Sequence, residues 1–157
     1  MKPEGVAKRE YLAARFGGTA KLDQIHQRFK DMAVQAGVQM DPDTPQRIPN
    51  TLNAHRLIHW AGLEGRQAVM VSALMRAYWV EGRDIGDLKV LADLWAEAGF
   101  DRAVGERLLA SDADLDLIRD REAHSRQRGV NAVPTFVIAN QYVLSGAQPP
   151  ETWGQVI

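Results

Sequence analysis

The chain has 157 residues and a mass of 17.5 kDa, which fits one domain or one domain with a large insertion. Its formal net charge is −1, so nucleic acid and anionic membranes are not expected partners, because both favour a basic surface. The absence of cysteine excludes disulfides, thiolate catalysis and zinc–thiolate sites within these residues. No apolar stretch has the roughly 18–20 residues of a membrane span, and the first residues lack the apolar core of a secretory signal. We therefore expect a cytoplasmic protein.

The first half of the chain has the apolar spacing of helices. Apolar residues recur at steps of three and four from Lys21 to Ala36, which predicts one amphipathic helix. The proline-rich stretch "MDPDTPQRIPNT" (40–51) is typical of a loop. Asn50 or Thr51 can cap the next helix, whose apolar side runs from Leu52 to Ala61.

Two more helices are predicted in the middle of the chain. One starts at Arg66 and ends near Gly82, and a second has its apolar face between Leu88 and Ala98. Asp84 is predicted to be the N-terminal cap of the second helix, with Asp87 in the first turn, where a carboxylate suits the helix dipole.

Two more helices are predicted between residues 102 and 128, one on each side of Ser111. A short helix is predicted from Arg102 to Ala110. Ser111 is then predicted to cap a longer helix that runs to about Arg128 and is broken by Gly129.

A strand signal appears only near the end of the chain. "TFVI" (135–138) and "YVL" (142–144) are β-branched or aromatic runs separated by "ANQ", which predicts a hairpin. "QPPETW" (148–153) predicts a last helix with prolines in its first turn. A hairpin alone is marginally stable, and the one other candidate strand is "GVQM" (37–40). The predicted sheet is therefore incomplete.

The order of these elements resembles the DsbA-like branch of the thioredoxin superfamily, above all the FrnE-type proteins. The related 2-hydroxychromene-2-carboxylate isomerases and kappa-class glutathione transferases are less similar. The resemblance is carried by "PNTLNAHRLIHWA" (49–61), "AYWVEGRDIGD" (77–87), "GVNAVPTFVI" (129–138) and "SGAQPP" (145–150). It implies an α/β, thioredoxin-like fold of the DsbA type, mostly helical, with a C-terminal hairpin and a final helix. The implied division is a connector with a short helix (1–20), a helical insertion (21–110) and the C-terminal thioredoxin-like part (111–157).

The resemblance also implies a binding loop before the first strand of the hairpin. Pro134 matches a cis-proline, and the fold can lock that isomer because the trans preference of an X–Pro bond is small. The backbone N–H and C=O of Val133 would then pair with an extended peptide or with glutathione, with Thr135 beside them. From the residues alone, an ordinary trans proline at a strand start is the more frequent alternative.

The sequence departs from the family pattern at the redox centre. Family members carry a first β-α-β unit with Cys-x-x-Cys, or a Ser or Cys, at a helix start, where the helix lowers the thiol pKa. We expect that this unit is missing through truncation, or else that the chain is a degenerate homologue. No residue of the chain is expected to be catalytic, and whether it is an enzyme stays open.

The implied activity is therefore that of a thiol–disulfide oxidoreductase without its redox cysteines. One alternative is a relative of the glutathione-dependent isomerases and transferases, in which an upstream serine acts. The other is a non-catalytic module that binds a peptide or dimerises. Glutathione is expected as substrate or co-substrate only, and no cofactor is expected. Because the sheet is incomplete, we also expect the chain to form a homo-oligomer.

Two further pairs of residues are candidates for the binding site. Ser111 and Asp112 fall where relatives that bind glutathione make a helix-start contact, although simple capping explains them as well. Asn50 and Thr51 match a segment that lines the site near the thiol in the family, and here too capping is the alternative.

Histidine and tryptophan residues carry weaker signals. His55 and His59 are four residues apart on one helix face, but no third ligand is evident, so we expect structural histidines and no metal site. The four tryptophans have apolar neighbours at helical spacing, which favours core or groove positions over a cofactor site.

Overall fold

The structure is a computed structural model that describes residues 2, 4–139 and 141–156. Eight helices and four short strands lie within these residues: β1 (Val6–Ala7), α1 (Lys8–Phe16), α2 (Thr19–Gln35), β2 (Arg47–Ile48), α3 (Leu52–Leu63), α4 (Gln67–Trp79), α5 (Leu88–Glu97), α6 (Arg102–Leu109), α7 (Leu115–Gln127), β3 (Thr135–Ile138), β4 (Tyr142–Ser145) and α8 (Pro150–Val156). Two compact units divide at Leu115 and Asp116. The three-part division proposed from the sequence stays a prediction.

The core of the first unit lies among α3, α4, α5 and α6, where α3 packs on α4 and α5 on α6. The spacing of apolar residues in the sequence predicted these helices to within one turn. Trp60 and Trp95 are 5% and 4% exposed, as expected of core tryptophans. Nine apolar side chains with exposures of 4% or less complete the centre: Ala54, Leu57, Ala61, Met70, Leu74, Ala77, Leu91, Ala92 and Leu94.

Two helices, α1 and α2, precede this core in the chain. The short strands on either side of them, β1 and β2, pair to form a small ribbon. Strand β1 pairs antiparallel with β2, with Val6 opposite Ile48 and Ala7 opposite Arg47. The sequence predicted a loop over 40–51, because a strand of two residues is too short to show alternation. Lys8 N–H also donates to Gln46 O (2.9 Å), which extends the contact between the ribbon and α1.

The weak candidate strand at 37–40 does not form. Gly37 has φ +70°, and the next amide, Val38 N–H, donates back to Ala33 O (2.8 Å). This is the hydrogen bond of a glycine C-cap, which ends α2 and turns the chain away. The apolar residues of "GVQM" therefore belong to a helix end.

Two of the predicted caps are also corrected. Asp87, and not Asp84, caps α5, since its carboxylate accepts from Lys89 N–H (2.7 Å). Asp84 instead accepts from Gly86 N–H (2.9 Å) in the preceding turn. Ser111 does not cap α7, which begins four residues later at Leu115.

The second unit contains the rest of α7, the hairpin and α8. The hairpin is confirmed: β3 pairs antiparallel with β4, from Thr135 opposite Ser145 to Ile138 opposite Tyr142. Asn140, in the predicted "ANQ" turn, lies outside the described residues. Pro150 is the first residue of α8, where a missing N–H costs little.

Helix length and hydropathy also bear on membrane insertion. Within the described part of the chain, none of the helices combines the length and apolar character that crossing a bilayer requires.

Candidate functional site

The loop before β3 exposes the backbone of Val133, the residue predicted to pair with a ligand. The Val133–Pro134 peptide bond is cis, and Val133 is 89% exposed. Within the described residues, no hydrogen bond uses the N–H or the C=O of Val133. Both groups are therefore free to pair with a ligand, as a strand edge does.

The residues around Val133 are held in place by short hydrogen bonds. Thr135 Oγ1 donates to Ala132 O (2.6 Å), and Gly146 N–H donates to Pro134 O (2.7 Å). Gly146 has φ +84°, a conformation that disfavours other residues. These bonds fix the backbone on both sides of Val133. The hydroxyl of Thr135 is consequently engaged inside the loop.

The hairpin beside the loop rests on α8. The rings of Phe136 and Trp153 meet edge to face, with centroids 4.7 Å apart and an interplanar angle of 81°. Such a pair adds about 0.5–1.5 kcal/mol beyond the burial of its surface. Loop, hairpin and α8 thus form one connected structure in the second unit.

The second pair of candidate residues, Ser111 and Asp112, lies in the turn between α6 and α7. Ser111 Oγ donates to Leu108 O (2.8 Å) and accepts from Ala113 N–H (3.2 Å). Its hydroxyl therefore closes a local turn. Asp112 is exposed, and its main-chain O accepts from Leu115 N–H (3.2 Å). A ligand contact of these two residues stays a prediction.

This turn is fastened by a buried arginine. Arg56 of α3 is 1% exposed, and its guanidinium donates to the carbonyls of Leu108, Ser111 and Ala113 at 2.7–2.8 Å. The same group donates to Asn53 Oδ1 (2.8 Å). Every arm of the guanidinium thus has an acceptor, as a buried cation requires.

Two carboxylates and an aromatic ring also lie near the Arg56 guanidinium. Burial lowers the pKa of Arg56, and the nearby carboxylates of Asp112 and Asp114 oppose that change. The guanidinium carbon lies 4.7 Å from the centroid of the Trp60 ring, a cation–π distance. Trp60 Nε1–H in turn donates to Asp114 Oδ2 (2.7 Å). Asp114 has φ +58°, so these bonds hold an unfavourable backbone conformation.

The third pair, Asn50 and Thr51, lies at the start of α3. Asn50 Oδ1 accepts from Leu52 N–H (3.1 Å), whereas the Thr51 side chain makes no capping bond although Thr51 is the N-cap residue. Among the described contacts, none joins this pair directly to Ser111 or Asp112. A binding role for Asn50 and Thr51 stays a prediction.

The two histidines of "HRLIH" differ in surroundings. His55 is exposed, and His59 is half-buried with Nε2 4.0 Å from Asp114 Oδ1. Across residues 2, 4–139 and 141–156, no group of three His, Cys, Asp or Glu side chains could hold a metal ion.

Sequence reasoning missed Arg56 and a second polar cluster. In the sequence Arg56 stands four residues from Leu52 and four from Trp60, on an apolar helix face, and that position is the available signal of a buried charge. The second cluster contains Lys8, His26 and Asp43. Nothing local distinguishes these residues from surface charges, because they come together only when the loop at 41–46 folds back.

Known proteins have sequences and folds similar to those of this chain. The chain matches the DSBA-like thioredoxin domain over residues 1–157. It is 27% identical over 130 residues to the uncharacterized protein YwbO of Bacillus subtilis, covering 82% of the chain and 64% of the relative. This chain therefore spans somewhat less than two thirds of that relative.

Two solved structures have the same fold. A probable DsbA oxidoreductase from Streptomyces coelicolor superposes with a TM-score of 0.86 at 28% identity, covering 97% of this chain and 66% of the other. A presumed protein disulfide isomerase from Nitrosomonas europaea superposes with a TM-score of 0.70 at 20% identity, covering 87% of this chain and 72% of the other. The fold is thus thioredoxin-like, of the DsbA type, as the sequence predicted. The chain belongs to the DSBA-like thioredoxin domain family.

Proposed function

We propose that these residues form the substrate-binding part of a DsbA-like thiol–disulfide oxidoreductase of the FrnE type. The observation that carries the proposal is the free backbone of Val133, with 89% of the residue exposed and both neighbours fixed by hydrogen bonds. An extended peptide or the peptide-like backbone of glutathione has the N–H and C=O groups that would pair with it.

The family and the solved relatives support the redox part of this proposal. The Streptomyces coelicolor protein, a probable DsbA oxidoreductase, is similar over 97% of this chain. The chain itself has no cysteine. Dithiol chemistry would therefore need thiols from outside these 157 residues, and the role of the residues present is to bind and orient the substrate.

Ser111, Asp112, Asn50 and Thr51 are proposed as additional substrate contacts. Of these, Asp112 offers an exposed carboxylate that suits the ammonium of glutathione or of a peptide. Arg56 would act as a positioning residue, since it holds the turn that contains Ser111 and Asp112.

Binding assays on hairpin variants test the proposal. The affinity of the chain for oxidised glutathione and for an extended, unstructured peptide is measured by calorimetry. Val133→Asp should weaken binding at least tenfold, because a carboxylate beside the loop repels a ligand carbonyl or carboxylate. Val143→Asp is the matched control, a 63%-exposed valine of β4, and should leave the affinity unchanged.

The two ligands also distinguish the alternatives. Peptide binding favours the oxidoreductase or a peptide-binding module, and binding of glutathione alone favours the isomerase and transferase branch. Equal loss in both variants, or no binding of either ligand by the wild-type chain, would contradict the proposal.

A further inference from the structure

A cleft of about 130 Å³ lies between α1, α2 and the proline-containing loop 41–46. Its lining includes Lys8 and Arg9 of α1, His26 of α2, and Asp43 of the loop. The loop is held by its own hydrogen bonds, in which Asp43 N–H donates to Asp41 Oδ1 (3.0 Å). All these residues belong to the first unit, whereas Val133 belongs to the second.

Lys8 is the first unusual feature of the cleft. It is 6% exposed, yet across the part of the chain that the structure describes no carboxylate lies within 4.0 Å of its ammonium. Nζ donates to Pro42 O (2.6 Å) and lies 4.9 Å from the centroid of the Trp79 ring. Burial lowers the pKa of Lys8, and the more distant Asp43 and Asp41 oppose this only in part. A buried ammonium without a counter-ion favours an anion beside it.

The nearby carboxylates are already paired with other groups. Asp43 Oδ1 meets His26 Nδ1 (2.7 Å), and Asp43 Oδ2 accepts from Lys30 Nζ (3.1 Å). Lys30 Nζ also pairs with Asp41 Oδ1 (3.0 Å). Arg9 is paired with Asp23 (2.7 Å) at the outer edge. Lys8 is therefore the cation of this cluster that lacks an acidic partner.

His26 is the second feature. Burial raises the pKa of Asp43, but the hydrogen bonds from His26 and Lys30 outweigh it, so the pKa is lowered and the group is ionised at neutral pH. An ionised carboxylate accepts only, so His26 Nδ1–H must be the donor. In the tautomer that carries its single proton on Nδ1, Nε2 is an acceptor. His26 is 8% exposed, and within the described residues Nε2 makes no hydrogen bond.

We infer that this cleft binds a small oxyanion that carries a hydroxyl group, with the oxyanion at Lys8 and the hydroxyl donating to His26 Nε2. Hydrogen phosphate and short 2-hydroxy carboxylates have this chemistry. Lys8 and Arg9, which line the cleft, are the first two residues of α1, where the helix dipole contributes partial positive charge. The carboxylate of Asp43 fixes the orientation of the imidazole ring through its hydrogen bond with Nδ1–H (2.7 Å).

The test uses the 157-residue chain and four anions. Binding of phosphate, lactate, sulfate and acetate is followed by calorimetry and by the imidazole proton signals of His26 in NMR spectra. Phosphate and lactate should bind at least tenfold more tightly than sulfate and acetate, because the last two lack a hydroxyl donor at neutral pH. Equal affinity for phosphate and sulfate would overturn the inference, as would unchanged His26 signals at saturating phosphate.

Two variants assign the contacts. Lys8→Met keeps the length of the buried side chain and should weaken phosphate at least tenfold, whereas Lys21→Met, at an exposed position of α2, should not change it. His26→Phe should abolish the preference for phosphate over sulfate. Because buried substitutions can unfold the chain, the wild-type anion series decides the matter if either variant fails to fold.

Discussion

Arg56 of α3 is almost fully buried, and it binds the carbonyl groups of Leu108, in the last turn of α6, and of Ser111 and Ala113 in the turn that follows. Lysine is a poor substitute at such a site, because an ammonium cannot reproduce the planar arrangement of the guanidinium donors. Arg56 therefore contributes both to the stability of the first unit and to the shape of the turn.

Arg56→Lys should lower the free energy of unfolding by roughly 3 kcal/mol, since it leaves buried carbonyls without a donor. Urea denaturation monitored by tryptophan fluorescence measures the change. Arg119→Lys, at an arginine with 60% exposure, is the control and should change it by less than about 0.5 kcal/mol. A similar, small effect of both substitutions would show that the Arg56 network is not needed for folding.

Asp43 gives a prediction about acid stability. Its pKa in the folded state is lowered from the ordinary value of 3.8, so near and below that pH the unfolded chain binds more protons. The stabilisation by Asp43 is present above pH 3.8 and is lost as the pH falls through the lower, folded-state pKa. Because its side chain is 44% exposed, solvent screening keeps the effect at about 1 kcal/mol or less.

Asp43→Asn should therefore be less stable than wild type at neutral pH, and the difference should vanish well below pH 3.8. Thermal unfolding across a pH series measures it. A difference that persists unchanged into strong acid would mean that the carboxylate charge is not the cause.

At the scale of elements, the contact between α5 and α6 depends on a glycine inside a helix. A Cβ on Gly105 would lie 2.9 Å from Cγ of the Trp95 indole, closer than real Cβ contacts. Trp95 cannot easily move, because it stacks on Phe100 at 4.0 Å and its Nε1–H donates to Asp101 O (3.0 Å). The absence of a side chain at Gly105 lets the two helices approach.

Gly105→Ala should destabilise the chain by about 1–3 kcal/mol, although alanine favours helix by about 1 kcal/mol. Gly154→Ala in α8 is the matched control, since a Cβ there meets nothing within 4 Å. It should be neutral or slightly stabilising. Chemical denaturation measures both, and a stabilised Gly105→Ala protein would contradict the packing described here.

Elements with a clear local pattern could be predicted from the sequence, and those without one could not. The helices α2 to α6 have apolar periodicity, and the hairpin has two short β-branched runs, so both were predicted. The ribbon of β1 and β2 is too short to show a pattern. The candidate strand at 37–40 does not form, because Gly37 and Val38 make the glycine C-cap that ends α2.

The candidate site was predictable to a smaller extent. Val133 and Pro134 were identified through a resemblance to a family, and periodicity alone would not have selected them. The start of the long helix was predicted one turn too early, at Ser111. The Ser111 hydroxyl instead bonds within the preceding turn, and α7 starts at Leu115. Lys8 and His26 meet through a distant loop, and no local rule marks such a contact.

At the scale of the whole molecule, the hairpin bears on self-association. Within the described residues β3 and β4 form a sheet of two strands, and Val137, Tyr142 and Val143 are 44%, 62% and 63% exposed. An open sheet edge beside apolar side chains favours pairing with another chain. We therefore predict that the 157-residue chain self-associates.

Light scattering coupled to size-exclusion chromatography measures the mass of the protein in solution. The mass should exceed 17.5 kDa and rise with concentration, and Val143→Lys should lower it. A monodisperse monomer over a wide concentration range would show that the hairpin is not an association surface.

The proposed function requires that the backbone of Val133 pairs with the substrate. The most direct measurement is a titration of the ¹⁵N-labelled chain with an extended peptide and with oxidised glutathione, followed by NMR at each backbone amide. We predict that the amide signal of Val133 shifts most, in the direction of a hydrogen-bonded amide, while that of Val143 stays in place. An unchanged Val133 signal at saturating ligand, or shifts confined to other parts of the chain, would contradict it.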